Sequence, residues 1–173
     1  MKVVFLDIDG VLVTGETVSR HVMTDGIPMN PFAAGPVAQL NRVLRETGAE
    51  IVVSSSWRCD GPQWDALMTH FAGQGVDRRP IGKTPWLDYK SNGGVWVATQ
   101  RGDEIRTWLV ENPDVEAFVA VDDDRDMDAI KDNFVWVEKG MFNGGLGVAH
   151  ADQMIAVLNR KKEAAGGPAQ NPV

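Results

Sequence analysis

The sequence predicts an α/β domain: a mainly parallel sheet in three layers, with helices on both faces. Short apolar runs rich in β-formers alternate with stretches of helical period, and that alternation needs crossover helices between parallel strands. Three of the runs end in Asp or Ser clusters, as expected where strands deliver polar groups to one edge of a sheet. The 173 residues, 43% hydrophobic and 24% charged, suit one soluble domain with a sizeable core. No linker or internal repeat divides the chain, so residues 1–162 read as a single domain.

Val3 to Leu6 is the first buried strand, and it runs into Asp7-Ile8-Asp9-Gly10. Residues 11–34 hold Gly, Pro and Thr without a clean period and read as a loop or small flap with a short hairpin. Gly35-Pro36 starts a helix whose Val37, Leu40, Val43 and Leu44 share a face, and Gly48 stops it. Ile51 to Val53 is the second strand, ending in Ser54-Ser55-Ser56. Pro62 opens a helix with Trp64, Leu67, Met68 and Phe71 at helical spacing.

Within 76–100 a short strand is expected at Arg79 to Gly82, and loop elsewhere. Glu104 to Asn112 reads as a helix closed by Pro113. Ala117 to Val121 is a clear strand running into Asp122-Asp123-Asp124. One or two helical turns follow over Met127 to Asp132, then a strand over Phe134 to Val137 and an amphipathic helix over Ala151 to Lys162. Residues 163–173, rich in Ala, Gly and Pro, read as a disordered tail.

The single cysteine, Cys59, excludes an intrachain disulfide and fits a reducing compartment. Apolar runs fall far short of the roughly 20 residues that cross a bilayer. No membrane span is therefore expected, and a cytoplasmic protein is the default. A net charge of −7 argues against an extended nucleic-acid groove, because tracking a phosphate backbone needs a basic surface. A small phosphorylated substrate or a nucleic-acid end is easier to reconcile with it.

The chemistry concentrates where the strands end. Asp7 and Asp9, the serines from Ser54, and the aspartates from Asp122 all reach the same sheet edge. Close carboxylates raise one another's pKa, and a divalent cation removes that conflict. Magnesium prefers carboxylate oxygens and can hold a phosphate for in-line attack. Asp7 could then attack phosphorus to form an aspartyl-phosphate, while Asp9 protonates the leaving oxygen and later activates water. Gly10 would let the backbone turn sharply beside the ligand. Taken singly, these aspartates could equally be turn residues or helix caps.

Three stretches carry a family resemblance. Val4-Phe5-Leu6-Asp7-Ile8-Asp9-Gly10-Val11-Leu12 resembles the first motif of the haloacid dehalogenase (HAD) superfamily. Val52-Val53-Ser54 is similar to its second motif, and Val119-Ala120-Val121-Asp122-Asp123 to its acidic fourth. Ser54-Ser55-Ser56-Trp57-Arg58, with Arg101-Gly102-Asp103-Glu104-Ile105 and Asp122-Asp123-Asp124, is similar to small HAD domains of phage proteins and RNA-repair polyproteins.

The resemblance implies a Rossmann-like fold and a magnesium-dependent phosphatase. In it Asp7 is nucleophile and metal ligand. Asp9 is the general acid/base, with its carbonyl on the metal. Ser54 binds phosphoryl oxygens, Asp122 binds magnesium, and Asp123 supports the metal site. Arg101 takes the place of the third-motif cation, with Lys83 and Lys90 as alternatives. Ser55, Trp57, Arg58 and Lys83 are expected on the substrate side. Trp57 would stack on a base and Arg58 would bind a second phosphate; the competing reading is a packed tryptophan with a surface arginine.

Neither insertion point has room for a full cap domain, so an open site is expected, suited to a nucleotide or a polynucleotide 3′-phosphate. Phosphoryl transfer to another acceptor and a non-catalytic binding module are the competing readings. A two-component receiver domain is disfavoured because the Asp-x-Asp-Gly pattern lies on the first strand.

Overall fold

The computed structural model describes residues 1–20, 23–24, 27–28, 31–87, 90–92, 95–97, 99–138 and 144–160. Its elements run β1 (Lys2–Leu6), α1 (Gly15–Arg20), β2 (Met23–Thr24), β3 (Ile27–Pro28), α2 (Ala34–Thr47), β4 (Glu50–Val53) and α3 (Pro62–Gly73). They continue with β5 (Gly82–Lys83), β6 (Lys90–Asn92), β7 (Val95–Val97), α4 (Arg101–Glu111), β8 (Ala117–Asp122), β9 (Phe134–Trp136) and α5 (Val148–Leu158). A 3-10 turn covers Ser56–Arg58, and two short 3-10 pieces joined across a kink at Ile130 cover Asp128–Asn133.

Five strands form one all-parallel sheet in the order β5-β4-β1-β8-β9. The alternation of β1 sorts its side chains to two cores. Val4 and Leu6 join α2, α3 and α5 on one face, through Leu40, Leu44, Leu67, Phe71, Met154 and Leu158. Val3 and Phe5 face the other way, onto Ile105 and Trp108 of α4 and onto Met127. The fold is therefore three-layered and Rossmann-like. The chain winds outward from β1 through β4 to β5, then returns to the opposite side of β1 as β8. Consecutive helices change face at that reversal, as right-handed crossovers require. The switch point lies between β1 and β8, which is where ligands bind in open sheets of this kind.

Local chemistry sets the helix ends. Gly48 closes α2 in the left-handed region at φ 70°, donating its N–H to Leu44. Pro62 occupies the first turn of α3.

Several boundaries differ from the sequence reading. The expected strand at 79–82 forms at Gly82–Lys83, where it can pair with Val52 and Val53. In the stretch read as loop, β6 and β7 pair as an antiparallel hairpin. Helix α4 begins three residues earlier than expected, at Arg101, because Asp126 caps it from outside its own sequence. Helix α5 begins at Val148 and ends at Leu158. The flap region holds α1 and the small β2-β3 pair. The tail at 163–173 lies outside the described residues. Among the described residues, no helix is long and apolar enough to cross a membrane.

Candidate active site

Strand register brings the motif residues into one row. Leu6 is level with Val53 on one side and Val121 on the other, so Asp7 stands between Ser54 and Asp122. The ladder continues past the strand ends. Asp7 N–H donates to Val121 at 3.0 Å, and Ser54 N–H donates to Leu6 at 2.8 Å. Those bonds fix the backbone that presents both side chains. Asp7, Ser54, Ser55 and Asp122 are all buried.

Carboxylate oxygens of Asp7, Asp122 and Asp123 lie within 4.8 Å of one another. Asp122 offers Oδ1 to the Asp124 N–H at 2.8 Å, while its Oδ2 is buried with no hydrogen-bond partner. Ser54 Oγ is likewise buried and unpartnered. Buried polar atoms left without partners are costly, and here one belongs to the three-carboxylate group and the other to Ser54, level with Asp7. A hard divalent cation bound by oxygen ligands fits this donor set. Asp7, Asp122 and Asp123 are the residues that could hold it. Asp9 is absent from that carboxylate group.

The electrostatics follow from burial. Desolvation, then the neighbouring Asp122 charge, holds the Asp7 carboxyl well above its usual range, with Arg101, Ser55 and the Ile8 backbone opposing. Burial also pushes Asp122 up to about 7, opposed by the Asp124 N–H and Arg101 and assisted by Asp126 and Asp123. Without a cation these carboxyls resist ionising together.

Arg101 stands in the first turn of α4, with Nη1 3.8 Å from Asp7 Oδ1 and donating to the Ser54 carbonyl. Two hydrogen bonds pin the start of that helix. Arg101 N–H donates to Asp126 Oδ2 at 2.9 Å, and Gly102 N–H donates to the Asp126 carbonyl at 3.0 Å. Gly102 permits this closeness, since a Cβ there would meet the Met127 backbone at 3.1 Å. Sequence reasoning missed Asp126, whose Oδ1 is also buried and unpartnered. The available signal is the crowding of four aspartates into residues 122–126.

Gly10 is demanded twice. Its φ is +72°, and a Cβ there would come within 2.4 Å of Asp123 Oδ2. The first-motif turn and the acidic strand end are therefore packed backbone to carboxylate. Asp9 is exposed and accepts a hydrogen bond from Trp57 Nε1 at 2.7 Å. Trp57 is half-buried, and part of it packs on the main core.

Two other expected substrate contacts, Arg58 and Lys83, are engaged by partners within the protein. Arg58 is not a surface group. It is buried, donates to the Ser55 carbonyl at 2.8 Å, and pairs with buried Glu104 at 2.6 Å. Its charge is already paired inside the protein. Lys83 is held by Asp60 and the Arg58 carbonyl, and lies over Trp64. Register sets it two strands away from Leu6, and the side chain of Lys90 lies outside the described residues. Of the two third-motif candidates with described side chains, Arg101 is the one shown beside Asp7. Glu104 was also missed. Its sequence position marks the expected helix start and belongs to the Arg101–Ile105 stretch, but nothing local announces its burial against Arg58.

Comparison with curated proteins and comparison with solved structures gave no significant match. Comparison with family models matched residues 3–143, a span that holds every motif discussed above, and the chain belongs to the family of HAD domains in Swiss Army Knife RNA repair proteins.

Proposed function

We propose that this chain is a magnesium-dependent phosphomonoester hydrolase that works through an aspartyl-phosphate on Asp7, with a nucleotide or polynucleotide 3′-phosphate as substrate. The observation that carries the reading is the meeting of Asp7, Asp122 and Asp123 within 4.8 Å, beside the unpartnered Oδ2 of Asp122 and Oγ of Ser54. Membership of a family named for RNA repair favours the nucleic-acid end.

Magnesium bound by the three carboxylates would neutralise charge on the phosphate and keep Asp7 ionised. Asp7 attacks phosphorus, and the bond from phosphorus to the ester oxygen breaks. Asp9 gives its proton to that oxygen as it leaves. Asp9 then takes a proton from water, which attacks the phosphorus and frees Asp7 and inorganic phosphate. Ser54 Oγ donates to a phosphoryl oxygen. Arg101, tethered to the Ser54 carbonyl, supplies a fixed positive charge beside the nucleophile.

A phosphatase screen in magnesium tests the reading, over mononucleotides, 3′- and 5′-phosphorylated oligonucleotides, sugar phosphates and phosphopeptides. Turnover of a 3′-phosphate is expected. It should stop in EDTA, return with magnesium, and be lost in Asp7→Asn with the fold intact. Activity retained in Asp7→Asn would remove the nucleophile assignment.

A further inference from the structure

Among the described residues, Trp86 is the one aromatic side chain with most of its surface in solvent, at 62%. An exposed tryptophan alone needs no explanation. This one is braced. The guanidinium of Arg58 lies over one face of its ring, 4.4 Å from the centroid, and Arg58 is itself held by Glu104. The flanking backbone is tied down as well. Thr84 N–H donates to Val53 at 2.9 Å, Arg58 donates to the Pro85 carbonyl at 3.5 Å, and Leu87 N–H donates to Glu104 at 3.2 Å. The indole is therefore held on one side, with most of its surface left to solvent.

Register places the segment that carries it. Val53 is level with Lys83 as well as Leu6, so Thr84 stands in the same row as Ser54 and Asp7. Two strand spacings separate Thr84 from Asp7, about 10 Å. Trp86 follows two residues later, beyond the carboxyl ends of the strands. One nucleotide spans a distance of that order between its phosphate and its base. Base-on-indole stacking is favourable and tolerates any base.

We propose that Trp86, backed by Arg58, is a stacking platform for the nucleobase of the nucleotide whose phosphate is removed at Asp7. This rests on the phosphatase reading above. It makes the substrate a nucleotidyl end rather than a sugar phosphate or phosphopeptide. It also reassigns Arg58, which supports the platform from inside instead of binding a second phosphate.

The test is kcat/KM on an RNA oligonucleotide with a terminal 3′-phosphate, against the same oligonucleotide with an abasic last nucleotide. Wild-type protein is expected to prefer the base-bearing end by about tenfold or more. Trp86→Ala should reduce that ratio at least fivefold, mainly through KM, and Trp86→Phe should keep most of it. Wild-type turnover without preference for the base overturns the platform and leaves the phosphatase reading standing. An unchanged ratio in Trp86→Ala does the same. No turnover of any phosphomonoester removes both.

Discussion

Trp57 donates its indole N–H to Asp9 Oδ2 across 2.7 Å, joining the second-motif turn to the residue two places beyond the nucleophile. The bond fixes one carboxylate oxygen of an exposed side chain, which otherwise could rotate freely, and leaves the other for proton transfer.

The consequence is a leaving-group effect. Trp57→Phe keeps the packed ring and removes the donor. If Asp9 is the general acid, kcat on an alkyl phosphate should fall about tenfold, since its leaving oxygen needs the proton. On p-nitrophenyl phosphate, whose leaving group departs unaided, the loss should be within threefold. Steady-state kinetics on the two substrates check this, and equal losses would exclude the positioning role.

Metal-linked stability provides a second prediction. The Asp122 carboxyl sits at about 7 in the folded protein, above its ordinary 3.8, chiefly because it is buried. Asp7 is shifted the same way. A raised carboxyl binds protons more tightly when folded. The stability it contributes is complete below pH 3.8 and is lost as pH rises through about 7. In EDTA, Asp122→Asn should therefore be more stable than wild type at pH 8, by about 2 kcal/mol or about 5 °C in Tm. The difference should close toward pH 4. Magnesium should reverse the order at pH 8 by stabilising only the wild type. Thermal melts at both pH values, with and without magnesium, decide it.

Much of this was legible because the informative residues sit where strands end. An apolar run followed by Asp7, Ser54 or Asp122 announces both the strand and the edge it serves, and parallel register then does the assembly. What stayed hidden depends on partners far away in sequence. Arg58 is a charged residue of a type that belongs on the surface, and only Glu104, 46 positions on, makes its burial tolerable. The start of α4 could not be read from its own residues, because Asp126 supplies the cap from 25 positions away. The β6-β7 hairpin is too short for period to reveal.

Gly10 separates strain from contact. Gly10 and Gly48 both have φ near +70°, but a Cβ at Gly48 meets nothing within 4 Å, whereas at Gly10 it would strike Asp123. Gly48→Ala should cost about 1 kcal/mol and nothing else. Gly10→Ala should cost more and displace Asp123, raising the magnesium concentration for half-maximal activity about tenfold. Denaturant melts and magnesium titrations of the two variants separate the effects, and identical magnesium dependence would remove Asp123 from the metal site.

The Arg58–Glu104 pair joins the second-motif turn, the Pro85–Leu87 backbone and the start of α4. Side-chain exposures of 4% and 7% mean that neither charge has water to fall back on. Removing one partner strands the other, at about 3–5 kcal/mol. Arg58→Met and Glu104→Gln should each approach that loss. The double variant should be destabilised by clearly less than their sum, since no buried charge is left alone. A cycle of denaturant melts measures the coupling. Additive losses would mean that each residue acts through separate contacts and that the pair does not hold the two segments together. Because Arg101 lies one turn before Glu104, the single variants should also lower kcat, and the double variant should recover part of it.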